Sequence, residues 1–162
     1  MSKSYAFTVA GRAVPQGSKR AFVNKSTGRA MMLESSSRHK HWRQLVALCA
    51  QESKRRPDVP LDEPVIVAVT FSFARPKSHY VIRKTGNLLK MDAPLWATSR
   101  AIGDIDKLLR SVLDAITDAG WIRDDSLIAR VFADKTYTTG RDQISVCVTP
   151  LENTVKQHVA SY

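Results

Sequence analysis

The chain has 162 residues, 43% hydrophobic and 25% charged, enough apolar content for a core and within the roughly 100–200 residues of one domain. No run approaches the roughly 18–20 apolar residues of a membrane span, the first residues lack a signal peptide's apolar core, and Cys49 and Cys147 stand apart without metal or disulfide spacing, so a cytoplasmic chain with free thiols and no membrane contact is expected. The net charge of +10 is local: residues 1–56 carry twelve Lys/Arg against two acids, and the remainder is balanced at thirteen each, which favours a polyanionic partner because Lys and Arg displace counterions from phosphates.

In chain order, residues 5–10 read as a first strand, stopped by Gly11 and by Pro15-Gln16-Gly17-Ser18. A basic, turn-rich segment with Lys19, Arg20, Lys25 and Arg29 follows. A helix is expected from about Ser35–Ser37 to Arg55, with Trp42, Leu45, Val46 and Cys49 at helical spacing and Pro57 and Pro60 closing it. Residues 64–74, rich in β-branched and aromatic side chains, form the strongest strand signal in the sequence. From Arg75 to Ile102 periodicity disappears. Arg75, Lys77, Arg83 and Lys84 are scattered there among Pro, Ser, Gly and Asn, with Tyr80 and Trp96 between, as in a long functional loop.

A second helix is expected over 105–118. Ile105, Leu108, Leu109, Val112, Leu113 and Ile116 fall at i, i+3, i+4, i+7, i+8 and i+11, a continuous apolar stripe. Strands over roughly 127–136 and 142–149 follow, with Thr138-Thr139-Gly140-Arg141 read as a hairpin turn. The order β-α-β-α-β-β gives an α+β class: one two-layer domain over 1–151, a mixed sheet of about four strands with two helices on one face, and a short tail over 152–162.

Six of the fifteen acids lie between Asp104 and Asp125. Like charges held close cost stability, and a hard divalent cation such as Mg²⁺ or Mn²⁺ is one reason for such a group. Within a helix, side chains two residues apart diverge by about 200°, so Asp104 and Asp106 share an ion only if Asp104 is extended and Asp106 begins the helix. Gly103 allows that approach, and Asp124 and Asp125 lie in the loop before the next strand, from which a carboxylate could return. The ordinary alternatives are an N-cap at the helix start and a solvated turn at Asp124-Asp125. An EF-hand is excluded, since Leu108, Leu109 and Ala115 stand where an oxygen ligand, Gly and Glu are required. The Asp-x-Asp of glycosyltransferases belongs to larger folds and leaves the basic N-terminal third unexplained.

The run Asp104-Ile-Asp-Lys-Leu-Leu-Arg-Ser-Val-Leu-Asp-Ala, followed by Asp124-Asp125 and a strand, resembles the signature of the RusA family of Holliday junction resolvases, common in phages and prophages. Pro15-Gln-Gly-Ser-Lys-Arg also resembles that family's exit from its first strand. The resemblance implies a Mg²⁺-dependent endonuclease, with Mn²⁺ as the alternative ion, acting as a homodimer on four-way DNA junctions in recombination and repair. It implies Asp104, Asp106 and Asp125 as metal ligands with Asp124 beside them, and places the family's functional lysine on Arg110. Lys107 stands where the family has Asn, and Arg110 replaces a compact point charge by a planar fork. Lys107 and Arg110 are expected to offset charge on the phosphate, and Lys19, Arg20, Lys25, Arg29, Arg75, Lys77, Arg83 and Lys84 to bind DNA phosphates. Tyr80 or Trp96 could stack at the open centre of a junction. The competing readings are a metal-dependent nuclease for other branched nucleic acid, a nonenzymatic basic DNA-binding protein and a small nucleotide phosphohydrolase.

Overall fold

The computed structural model describes residues 3–16, 20–23, 30–33 and 37–152. Strand β1 spans Tyr5–Ala10, β2 Arg20–Val23, β3 Ala30–Leu33, helix α1 Ser37–Glu52 and β4 Val65–Ala74. Two-residue strands β5 (Tyr80–Val81) and β6 (Leu88–Leu89) follow, then α2 (Ile105–Asp118), β7 (Ile128–Thr138) and β8 (Gln143–Pro150).

The α+β class holds, with a mixed four-stranded sheet in the order β1-β8-β4-β7. β4 alternates buried and half-buried residues along its length, and Val65, Val67, Val69, Phe71 and Phe73 all face the helices. This strand is the most continuously apolar segment, and it takes a central position with neighbours on both sides. Its pairing with β7 is parallel, and those of β8 with β4 and β1 are antiparallel.

That order corrects the expected hairpin. β7 and β8 are consecutive but not adjacent, because β4 lies between them. The connection over 139–142 passes across the end of β4 and is fastened there: Arg75 N–H donates to Thr138 O (3.0 Å), and Ala74 N–H to the Asp142 carboxylate (2.7 Å). Four residues reach at most about 13 Å, enough to step over one strand at a spacing of roughly 4.8 Å per neighbour.

The segment 20–33, read as turn-rich, contains the antiparallel β2–β3 pair. The segment 75–102 holds only a 3-10 turn over Lys77–His79 and the short β5–β6 pair; its end runs along β7, with Ala97 N–H donating to Lys135 O and Tyr137 N–H to Leu95 O (2.9 Å each). Helices α1 and α2 pack on each other over the sheet, and Trp121, after α2, closes the core by donating its indole N–H to Ala50 O at 3.0 Å. No helix among the described residues is long and apolar enough to cross a membrane.

Candidate active site

The start of α2 is built by three separate segments. Gly103 has φ +91°, a conformation that disfavours side chains, and a Cβ there would meet Pro15 Cγ at 2.9 Å. Gln16 N–H donates to Lys107 O at 3.0 Å, and the Ser111 hydroxyl, buried, stands 2.7 Å from His39 Nε2 and 3.4 Å from Val14 O. The Pro15-Gln16 segment is thereby seated on the first turns of α2, giving the early sequence motif a physical role.

From Gly103 the chain enters Asp104 extended (φ −79°, ψ 141°), with Asp106 in the first helical turn. This is the conformation that lets carboxylates two residues apart approach a common ion. Asp104 occupies the N-cap position but makes no side-chain capping bond. Its carboxylate instead receives Lys107 Nζ at 2.8 Å, and it remains 67% exposed. That hydrogen bond, then the charge behind it, holds the Asp104 carboxyl below the usual carboxylate range, and Lys135 adds to the effect. The same contact raises Lys107.

Arg110 is exposed one turn beyond Asp106 and has no ion-pair partner among the described residues. Of the two acids that an ordinary surface pairing would offer it, Asp106 makes no ion pair with it and Asp114 is engaged by another helix. Asp114 lies 3.3 Å and Asp118 2.6 Å from Arg43 of α1, a pairing that ties the two helices together.

Lys135 was not singled out from the sequence. It lies opposite Phe71 in the β4–β7 register, on the helix-facing side, and its Nζ donates to Gly103 O at 2.7 Å. The strand thus grips the turn that presents Asp104. No pattern in the sequence marks this lysine, because its partner is a backbone carbonyl 32 residues away.

Asp124 and Asp125 lie at the other end of α2, beyond Trp121. Asp124 caps a 3-10 turn over Asp125–Leu127, accepting from Ser126 N–H at 2.9 Å, and its contacts with Ser126 keep its carboxyl low. The 14 residues of α2 span roughly 21 Å. Among the described residues no three Asp, Glu, His or Cys side chains gather around one point. Two exposed carboxylates still suit Mg²⁺, which binds through one or two carboxylates plus substrate phosphate oxygens.

Of the cations expected to touch DNA, Lys77, Arg83 and Lys84 are exposed. Arg75 is half-buried, donates to Pro94 O at 2.6 Å and lies over the Tyr137 ring, so it fastens the long loop to the sheet. Trp96 is 53% exposed beside β7. Arg20 begins β2, and Lys19, Lys25 and Arg29 lie outside the described residues.

An α+β domain with two exposed acids flanked by cations offers the groups that phosphodiester chemistry uses. The family model for Endodeoxyribonuclease RusA matches residues 13–149, and the chain belongs to that family. It is accordingly an endodeoxyribonuclease of the Holliday junction resolvase kind, a class that binds branched DNA and depends on divalent metal. No curated protein matches the chain.

Proposed function

We propose that the protein resolves four-way DNA junctions by paired symmetric nicks, with Mg²⁺ (or Mn²⁺) held at the start of α2, in recombination and repair. The observation that carries this reading is the Asp104 carboxylate: at a helix N-cap it forgoes the capping bond and stands exposed beside Asp106. Its ordinary structural use is therefore not the use found.

Hydrolysis of a phosphodiester needs an attacking water, relief of charge on the phosphate and a stabilised leaving oxygen. A divalent cation supplies Lewis acidity for all three when bound. Asp104 and Asp106 would hold it, and Gly103, Pro15 and Lys135 fix the backbone that aims them. Arg110, without an ion-pair partner among the described residues, would neutralise charge growing on the non-bridging phosphate oxygens. Lys107 sits in the same turn and would exchange Asp104 for a phosphate oxygen when DNA arrives.

A homodimer follows from the symmetry of the product, since two nicks need two sites and each chain has one Asp104–Asp106 pair. Asp125, with Asp124 beside it in the 3-10 turn beyond α2, forms no group of three with its own chain's pair among the described residues and would complete the ligand set of the other protomer. Lys77, Arg83 and Lys84, with Lys19, Arg20, Lys25 and Arg29 from the basic N-terminal third, would contact phosphates rather than bases, so affinity should fall steeply with salt.

The test is cleavage of a synthetic four-way junction beside flap, linear duplex and RNA substrates, in Mg²⁺ and in chelator, with Asp106→Asn as the control. Paired nicks in the junction alone, lost in chelator and in the variant while the variant still shifts the junction in a gel, are expected. Equal cleavage of duplex, or cleavage unchanged by Asp106→Asn, would refute the assignment.

A further inference from the structure

The β5–β6 hairpin is an arm that stands away from the domain. It pairs Tyr80 with Leu89 and Val81 with Leu88, and its turn closes with Gly86 N–H donating to Arg83 O at 3.2 Å. A Cβ placed at Gly86 would meet no atom within 4 Å, so the tip stands in open space. The base, in contrast, is fixed. Lys90 N–H donates to His79 O at 3.0 Å, the His79 ring meets Tyr137 edge-on at 4.8 Å, and Arg75 lies over the same Tyr137 while donating to Pro94 O. A two-stranded hairpin is marginal in water without a packed face, so this fastening is what holds the arm in shape.

The arm is apolar where it projects. Ile82 is 74% exposed, Leu88 53% and Val81 41%. Successive side chains of a strand alternate between faces, so Val81 and Leu88 lie on one face and Ile82 and Leu89 on the other. Neither face covers the core, and exposed apolar surface of this kind marks a binding site. Its charge selects the partner: residues 75–91 hold five cations (Arg75, Lys77, Arg83, Lys84 and Lys90) and no acid, which suits a polyanion. Its anchorage selects which polyanion. Lys135 of β7 accepts Ala97 N–H through its carbonyl and donates to Gly103 O through Nζ, so the end of the arm's segment and the turn that presents Asp104 hang on one residue.

We propose that the arm is a wedge for nucleobases. Ile82 and Leu88 enter the base stack at the branch point of the DNA whose phosphate is processed at Asp104 and Asp106, and Arg83 and Lys84 at the tip neutralise the phosphates beside the opening. Apolar side chains are suited to this task, since they replace stacking contacts without needing a hydrogen-bond partner in the stack. Tyr80, expected from the sequence to stack there, is half-buried at the base of the arm, and the exposed positions fall to aliphatic residues.

Such a wedge makes the enzyme read structure. Phosphate contacts form with linear and branched DNA alike and cannot tell them apart. Inserting a side chain between bases costs the unstacking energy of that step, a cost that is smallest where bases are already unpaired. The arm therefore favours a branch over continuous duplex by the stacking energy it does not have to break. This proposal rests on the nuclease reading above and names the residues that select its substrate.

The test uses the full chain carrying Ile82→Ser and Leu88→Ser together, both at exposed positions, on two synthetic four-way junctions. One is fully paired, and the other has mismatched, already unpaired bases at the branch. The variant is expected to cleave the paired junction at least about tenfold more slowly than wild type, and to recover most of that loss on the mismatched one. A second reading needs no cleavage: in chelator, 2-aminopurine at the branch of the paired junction should brighten as wild type unstacks it, and stay dim with the variant although both shift the junction in a gel. Equal slowing on both junctions, cleavage of both at the wild-type rate, or 2-aminopurine that stays dim with wild type would each overturn the wedge. So would a variant that sediments as a smaller species than wild type, which would assign the arm to a protein interface. Failure of the nuclease reading is seen separately, as a wild-type chain that cleaves neither junction in Mg²⁺, and the fluorescence still judges the wedge.

Discussion

The two ends of α2 put the same residue type to different uses. At its C-terminal half, Asp114 and Asp118 close on Arg43 of the neighbouring helix, at 3.3 and 2.6 Å. At its start, Asp104 and Asp106 face solvent, and among the described residues only Lys107 is drawn against Asp104 and Arg110 has no ion-pair partner. The first pair has its charge neutralised by packing. The second retains charge that packing does not require, held in position by a positive-φ glycine, a proline and a lysine from a strand. A carboxylate cluster in a sequence is therefore two populations, and what separates them is whether another helix supplies the counterion.

This contrast can be broken by exchanging the ends. Asp104→Asn is expected to lower junction cleavage by about two orders of magnitude or more with little change in melting temperature, because a site carboxylate serves the reaction and not the packing. Asp118→Asn should do the reverse, leaving the cleavage rate close to wild type. Cleavage assays and thermal melts on both variants would show the crossover, and equal behaviour would remove the distinction.

Lys135→Met sharpens it from the strand side. Losing a charged donor to the Gly103 carbonyl should cost about 1–2 kcal/mol in denaturant unfolding and reduce cleavage through the displaced turn. Arg43→Ala follows with a smaller loss, about 0.5–1 kcal/mol given its partial exposure, and unchanged junction binding. The smallest effect is electrostatic. Folding lowers the Asp104 pKa, so its contact with Lys107 stabilises above the ordinary carboxylate range and that contribution fades as pH falls through the lowered value. Lys107→Met should move Asp104 back toward the ordinary carboxylate value, as read by NMR titration.

Much of this arrangement was legible in the sequence. The apolar stripe gave α2 its full extent, Ile105–Asp118, and the β-branched run gave β4 to within a residue. Gly103 before Asp-x-Asp allowed an extended Asp104 ahead of the helix, and Asp104 is extended. The strand order was not legible. A turn-like Thr-Thr-Gly-Arg looks the same whether it links neighbours or steps over a third strand, and only the demand of β4 for cover on both sides decides between them. The β2–β3 pair escaped because four-residue strands are too short to display alternation. Lys135 was passed over because its partner is a carbonyl, and no spacing rule marks a side chain that bonds to backbone 32 residues away. The expected meeting of Asp104, Asp106 and Asp125 has no counterpart among the described residues, where no three such side chains gather around one point and the 14 residues of α2 lie between the two segments in the chain.

The most direct measurement is Mn²⁺ titration followed by paramagnetic broadening of backbone amide signals, with Mg²⁺ as competitor. Broadening centred on Gly103–Arg110, reversed by Mg²⁺ and absent in Asp106→Asn, is expected. Broadening centred on Asp114–Asp118, or none at any residue of α2, would contradict the placement of the cation at the helix start.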